Sequence, residues 1–164
     1  MQKAIFLDRD GIINRETGDY IHRIANFLLN DEVIEALQLF QSTGYLLIVI
    51  TNQSGIAKGL YTHQDVVTIH QHLTALLAEK NIHLTAIYYC PHHPSISKCL
   101  CRKPDSLLVE KAIARFFIDP SLSYFIGDAD RDVEAGMKAG MKAIKLKSNT
   151  SLLQAMKIIN IANC

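Results

Sequence analysis

Two aspartates two positions apart, Asp8 and Asp10, follow the apolar run Ala4-Ile5-Phe6-Leu7 and precede Gly11. Such a pair can carry out phosphoryl transfer. One carboxylate attacks phosphorus and forms an aspartyl-phosphate, while the other protonates the leaving alcohol and then activates water. Nucleophile and phosphate are both anions, and at ~4 Å with an effective dielectric of ~20 each unit-charge pair costs about 4 kcal/mol. A hard, oxygen-seeking cation such as Mg2+ between the acids cancels that cost. If the extended backbone continues past Leu7, residues two apart point the same way and both acids can share the ion. The competing reading is a strand-ending turn with two solvated acids.

A second constellation is Cys90-x-His92 followed by Cys99-x-Cys101. Three thiolates and one imidazole suit tetrahedral zinc in a closed structural site, and the segment 90–101 is read as a zinc loop. His93 is an alternative imidazole, and Cys164 is expected to be a bystander. Zinc in this loop would anchor the adjoining Arg102 and Lys103.

The elements that must position these residues follow from hydrophobic periodicity. Four apolar residues ahead of Asp8 read as a buried strand. The stretch from Ile12 to Asn30 reads as a polar, irregular loop beside the strand tip. Asp31 to Phe40 has an N-capping acid and helical spacing at Val33, Leu37 and Phe40, closed by Gly44. Leu46 to Ile50 is continuously apolar, as expected of a strand covered on both faces, and it delivers Thr51 and Asn52. Thr62-His63-Gln64-Asp65 forms a capping box opening a helix to about Lys80. Thr85 to Tyr89 is a strand, Ser106 to Phe117 a helix, Ser123 to Ile126 a strand ending in Gly127-Asp128, and Val133 to Ala139 a helix. A strand from Lys142 to Leu146 and a helix from Leu152 to Ile161 complete the chain. Strands alternating with helices predict a Rossmann-like, doubly wound α/β/α sandwich with a parallel sheet. No cap domain is inserted, so the site is expected to be open.

At 164 residues the chain is one domain's worth (1–164). It is 49% apolar and 20% charged, with a net charge of +1, which marks neither a nucleic-acid nor a membrane partner. No signal segment or apolar run of membrane-spanning length is found, so a cytoplasmic protein acting on a small phosphorylated molecule is expected, as a monomer.

Parallel strands bring their carboxyl ends to one edge, so Asp8 and Asp10, Thr51, Arg102-Lys103, and Asp128 with Asp132 can converge although scattered along the chain. The order Asp8-x-Asp10-Gly11, Thr51-Asn52, Lys103 and Gly127-Asp128-x-x-x-Asp132 resembles the four motifs of the haloacid dehalogenase (HAD) superfamily of phosphatases. Phe6 to Gly11, Thr51 to Ala57, Tyr89 to Pro94 and Cys101 to Pro104 are similar to the heptose bisphosphate phosphatases within it. The histidinol-phosphate phosphatases form a sister group. The resemblance implies Asp8 as nucleophile and Mg2+ ligand, and Asp10 as general acid and base, also binding Mg2+ through its carbonyl. It implies Thr51, Asn52, Gln53, Ser54, Arg102 and Lys103 as phosphate- or substrate-binding residues, with Asp128 completing the magnesium shell. The Cys90, His92, Cys99, Cys101 set matches the family's zinc loop. Asp132 ranks below Asp128 as a ligand. Bland alternatives are a turn at Thr51-Asn52, a solvated basic pair at Arg102-Lys103, and loop flexibility alone at Gly55 and Gly59.

Four departures bear on the substrate: Asp105-Ser106 in place of Pro-Gly-Met after Arg-Lys-Pro, Ile12 in place of threonine, Ala129 where a basic residue is frequent, and a short zinc loop. The implied activity is Mg2+-dependent hydrolysis of a sugar phosphate, with histidinol phosphate as the alternative. The other class is a non-catalytic phospho-accepting or zinc-stabilised interaction module. A receiver domain places its phosphorylated acid on a middle strand, whereas the middle strand here is expected to end in Thr51.

Overall fold

The computed structural model describes residues 1–160. Five parallel strands, β1 (Lys3–Leu7), β2 (Tyr45–Asn52), β3 (Leu84–Cys90), β4 (Tyr124–Gly127) and β5 (Lys142–Lys145), lie in the order β3-β2-β1-β4-β5. They alternate with α1 (Val33–Ser42), α2 (His63–Ala78), α3 (Leu107–Phe116), α4 (Asp130–Lys138) and α5 (Leu153–Ile159).

The continuous apolar runs have the expected cause. Ile5, Leu7, Leu47 and Val49 join one core cluster with residues of α1, α2 and α5, such as Leu37, Leu73 and Met156. Ala4, Phe6, Ile48 and Ile50 join a second cluster with Val109 and Ala112 of α3. On that second face α4 also packs, where Gly136 lets the helix approach Phe125 closely. The sheet is therefore covered on both sides, which gives the three-layer architecture.

The chain runs outward from β1 to β3, then crosses back to β4 on the other side of β1. That reversal makes β1 and β4 the switch point, the place where an open α/β sheet leaves a crevice at its carboxyl edge. Asp8 and Asp128 follow these two strands directly.

Several expectations need correction. The central strand in space is β1, which leads directly into Asp8, and β2 with Thr51 lies beside it, because the chain order is not the spatial order. Residues 12–30 are not merely a polar loop: Ile12, Ile13, Ile21 and Phe27 are buried in the first core cluster, and a short 3-10 turn spans Ile24–Asn26. Asn30 ties this excursion down by donating to the carbonyls of Gly11 and Ile12, both at 3.0 Å. No acid caps α1, whose N-cap residue is Glu32 at φ 60° with no side-chain bond to the helix. The Thr62–Asp65 capping box on α2 is present. Helix α4 starts at Asp130, earlier than expected, which places Asp132 in its first turn, where its carboxylate accepts the Ala129 N–H at 3.0 Å. Ile161, the expected end of the last helix, and Cys164 lie outside the described residues.

Candidate active site

The carboxyl edge of the sheet opens into a cavity of about 440 Å³. It is lined by Asp8, Asp10, Thr51, Asn52, Gln53, Ser54, Arg102 and Asp128.

Asp8 continues the hydrogen-bond ladder of β1, donating its N–H to the Ile126 carbonyl of β4 at 3.0 Å. Its carboxylate is 4% exposed and lies 2.8 Å from Lys103 Nζ. The same ammonium is 2.7 Å from Asp132 Oδ1 and donates to the Ile50 carbonyl at 2.8 Å. Lys103 is 1% exposed, which removes the solvated-pair reading for this residue. The Asp132 Oδ1 contact lies off hydrogen-bonding geometry, leaving that buried oxygen without a directed partner, so the pair is a Coulombic one.

Asp8, Asp128 and Asp132 each offer an oxygen within 4.8 Å of the others. Three hard carboxylates, two of them paired to a single ammonium, leave an excess of negative charge, a donor set that fits Mg2+. Burial, partly offset by Lys103, pushes Asp8 up to about 6, so the protein alone does not fully favour the ionised nucleophile. Gly11, at φ +85°, lets the chain turn beneath Asp128, where a side chain would collide with that carboxylate.

Asp10 is not in this cluster. The expectation of two like-directed acids sharing one ion is replaced by a different arrangement, because the strand ends at Leu7. The Asp10 carboxylate takes two contacts from Arg9 Nη2, at 2.9 and 3.0 Å, one from Asn14 Nδ2 at 2.9 Å and one from Gln53 Nε2 at 3.0 Å. Arg9 is fully buried, also reaching the Ile21 carbonyl at 3.0 Å.

Thr51 is 1% exposed, and its hydroxyl accepts from Gln53 Nε2 at 2.9 Å. Asn52, the last residue of β2, has its amide committed to the backbone of Lys103. Its Nδ2 donates to the Lys103 carbonyl and its Oδ1 accepts the Lys103 N–H, both at 3.1 Å. This two-pronged clamp sets the lysine's backbone rather than leaving the amide free. Gly55 has a packing role beyond flexibility, since a side chain there would overlap the Tyr61 ring.

Next to the edge strand, Cys90, His92, Cys99 and Cys101 present their ligand atoms within 4.8 Å of one another. The Sγ atoms of Cys90 and Cys99 are 3.7 Å apart, His92 Nδ1 is 3.5 Å from Cys90 Sγ and 3.2 Å from Cys101 Sγ, and the Cys90 and Cys101 sulfurs are closer, at 3.0 Å. With Zn–S at about 2.3 Å, a tetrahedral site has edges of about 3.8 Å, so the donor set and its convergence fit zinc, with the Cys90–Cys101 edge having to open. Burial raises the Cys90 and Cys101 thiols, which makes a cation necessary if they are to be thiolates. His93 is outside this set. Its Nδ1 is 2.6 Å from Ser95 Oγ, and the residue lines the cavity.

Arg9, Glu16, Tyr61 and Arg131 are site or near-site residues to which motif reading gave no role, whereas His93, offered as an alternative zinc ligand, lines the cavity with Asp19 and Tyr20. Lys58 and Ser54 beside its hydroxyl hold the Tyr20 phenol below its usual range. The cavity thus has acids, Glu16 and Asp19, and bases, Arg102 and Arg131, on its walls.

Comparison with known proteins places this arrangement. Residues 100–158 match the HAD-hydrolase-like family. The D-glycero-β-D-manno-heptose-1,7-bisphosphate 7-phosphatase of Haemophilus influenzae is 43% identical over 147 residues, 87% of this chain and 79% of that protein. The enzyme of the same name from Pasteurella multocida is 42% identical over 164 residues, 97% of this chain and 85% of its own. Among solved structures, the D,D-heptose 1,7-bisphosphate phosphatase of B. bronchiseptica, complexed with magnesium and phosphate, superimposes with a TM-score of 0.81 at 29% identity, covering 87% of this chain and 79% of that one. With that similarity extending over nearly its full length, the chain belongs to the heptose-1,7-bisphosphate 7-phosphatase family of HAD phosphoric monoester hydrolases.

Proposed function

We propose that this protein hydrolyses the C7 phosphate ester of D-glycero-D-manno-heptose 1,7-bisphosphate, leaving the anomeric phosphate in place. One observation carries the chemistry: Asp8, Asp128, Asp132 and Lys103 meet in a single cluster at the switch point of the sheet. Kinship to the named 7-phosphatases supports the substrate.

Asp8 attacks phosphorus, forming the P–O bond of an aspartyl-phosphate as the P–O bond to the sugar breaks. Asp10 gives its proton to the departing alkoxide. Asp10 then takes a proton from water, whose oxygen attacks phosphorus and releases inorganic phosphate and free Asp8. Lys103 balances charge beside Asp8, and Thr51 with Ser54 lies where a phosphoryl group can be hydrogen-bonded. Positioning and charge stabilisation dominate such reactions. Mg2+, held by Asp8, the Asp10 carbonyl and Asp128, would supply electrophilic neutralisation of the phosphoryl oxygens. Zn2+, held by Cys90, His92, Cys99 and Cys101, would fix the loop that leads into Arg102 and Lys103. Arg102 lines the cavity and donates to the His92 carbonyl at 3.1 Å, so zinc loop and substrate wall are one unit.

Hydrolysis of histidinol phosphate is the second reading, favoured by Glu16 and Asp19 on the cavity wall, where carboxylates suit an ammonium substrate. Among the described residues no helix is long and apolar enough to cross a membrane. A cytoplasmic monomer acting on a small molecule belongs to the same proposal. The test is phosphate release from heptose bisphosphate, sugar monophosphates and histidinol phosphate, with and without Mg2+. The expected result is the highest kcat/KM on the bisphosphate, dependent on Mg2+ and abolished in Asp10→Asn. Preference for histidinol phosphate would replace the first reading by the second.

A further inference from the structure

Gln53 is 2% exposed and both ends of its amide are in use. Its Nε2 faces Asp10 Oδ2 at 3.0 Å and Thr51 Oγ1 at 2.9 Å, while its Oε1 accepts the Tyr61 hydroxyl proton at 2.8 Å. An ionised carboxylate only accepts, so the end of the amide facing Asp10 must be the NH2 group. The opposite end is then a buried carbonyl in need of a donor. Burial pushes the Tyr61 phenol up to about 12, so it stays a donor across the working pH range.

The ring that carries this hydroxyl is itself held. Gly55 leaves the space it occupies, His22 stacks on it at 5.1 Å with an interplanar angle of 8°, and Tyr20 meets it edge-on at 5.7 Å. Tyr61 does not reach the substrate cavity's lining, whereas Gln53 and Asp10 do.

We propose that Tyr61 is a positioning residue for Asp10: its hydroxyl fixes the Gln53 amide in the one orientation that donates to both Asp10 and Thr51. This rests on the reading of Asp10 as general acid and base. Without the hydroxyl the buried Gln53 carbonyl has no donor, and once Asp10 carries the proton it delivers, the amide can turn its carbonyl toward that proton and hold it back from the leaving oxygen. Arg9 and Asn14 still grip the other side of Asp10, so the loss is partial.

The step most sensitive to this is proton delivery to the leaving oxygen. An alkoxide from a sugar needs that proton; p-nitrophenolate does not. The value of kcat/KM isolates the first transfer, in which the P–O bond to the alcohol breaks and that to Asp8 forms. Tyr61→Phe is therefore expected to lower kcat/KM about tenfold on the sugar phosphate, a fraction of the ~10²- to 10⁴-fold that general acid catalysis supplies. On p-nitrophenyl phosphate the loss is expected to be about twofold. In a Gln53→Met background Tyr61→Phe should add nothing further. Equal losses on both esters, an undiminished effect in the Gln53→Met background, or no loss at all would overturn the proposal. Thermal unfolding of each variant separates these results from simple destabilisation. Asp10→Asn, run alongside, tests the underlying reading: if it still hydrolyses the sugar phosphate, Asp10 is not the acid, whatever Tyr61→Phe does.

Discussion

Asp8→Asn removes one carboxylate from the cluster of Asp8, Asp128 and Asp132 while keeping the side chain's size. In the wild-type chain, burial, with help from the Asp132 charge and against the pull of Lys103, raises Asp8 from 3.8 to about 6. The folded state therefore binds the Asp8 proton more readily than the unfolded chain does. The stabilising contribution of a neutral Asp8 is fully present below about 3.8 and is lost as the pH rises through about 6. At pH 7.5 the ionised group costs about 3 kcal/mol, at 1.36 kcal/mol per pH unit between those two values, and at pH 5 roughly half of that. The attraction of Lys103 is already inside this figure, and Lys103 keeps Asp132 as a partner in the variant. Asparagine mimics the neutral acid at every pH. In magnesium-free buffer at pH 7.5 the variant should thus be about 2–3 kcal/mol more stable than wild type, or roughly 5–10 °C in Tm for a chain of this size. The gain should shrink at pH 5. Added MgCl2 should reverse the order by stabilising wild type and not the variant, since binding to the folded state raises apparent stability by mass action. Activity is expected to vanish. Thermal unfolding of both proteins at the two pH values, with and without MgCl2, checks each part. An Asp8→Asn protein less stable than wild type without magnesium at pH 7.5 would refute the picture of a charge cluster awaiting a cation.

Other perturbations follow from the same geometry. His70 is buried and held down to about 3, first by desolvation and then by the Arg9 charge beside it. Its unfolded counterpart takes up a proton below about 6.5, so stability falls with acidification, by about 2 kcal/mol between pH 7.5 and 5, and His70→Gln should flatten that part of the denaturation profile. The slope has the opposite sign to that of Asp8, so the two variants are separable in urea titrations. Asn52→Ala frees the Lys103 backbone from its clamp and should lower kcat by about 10- to 100-fold with KM within a few-fold, as expected when a transition-state contact is misplaced. Cys99→Ser should reduce bound zinc, measured by elemental analysis, and lower Tm and activity together; full activity from a zinc-free protein would break the link between loop and lysine.

The alternating strands and helices were readable because both faces of the sheet are covered: Ala4 to Leu7 and Leu47 to Ile50 are apolar without interruption for that reason. The convergence of residues near 8, 51, 103 and 128 followed from parallel strands sharing one edge. Spatial order did not follow, since nothing in β1 or β2 states which lies at the centre. The 12–30 excursion misled because its four core residues, Ile12, Ile13, Ile21 and Phe27, are spaced with no helical or strand period. Arg9 was passed over as a spacer between two acids, yet a guanidinium between adjacent carboxylates is itself a signal that one of them has a cation nearby. Tyr61 carried no motif, and only its approach to Gly55 and Gln53 in three dimensions reveals it.

The carboxylates at this edge fall into two groups with different partners. Asp8, Asp128 and Asp132 converge, Asp8 and Asp132 share one ammonium, and a buried oxygen of Asp132 has no directed donor, an arrangement that suits a metal ion. Asp10, two residues from Asp8, is turned to Arg9, Asn14 and Gln53, each a donor with a defined direction. Phosphoryl transfer through an enzyme carboxylate needs that division. A nucleophile must lose its proton beside a cation, while the group that passes protons to and from oxygen must keep its own position through two steps and cannot be tied to the ion by the same oxygens. Arg9, with Asn14 and Gln53 beside it, keeps the Asp10 carboxylate apart from that cluster. Were Arg9 replaced by a neutral side chain, Asp10 would lose its ion pair and keep only the neutral donors Asn14 and Gln53, so the proton carrier would be held less firmly at the point where the chemistry depends on its position.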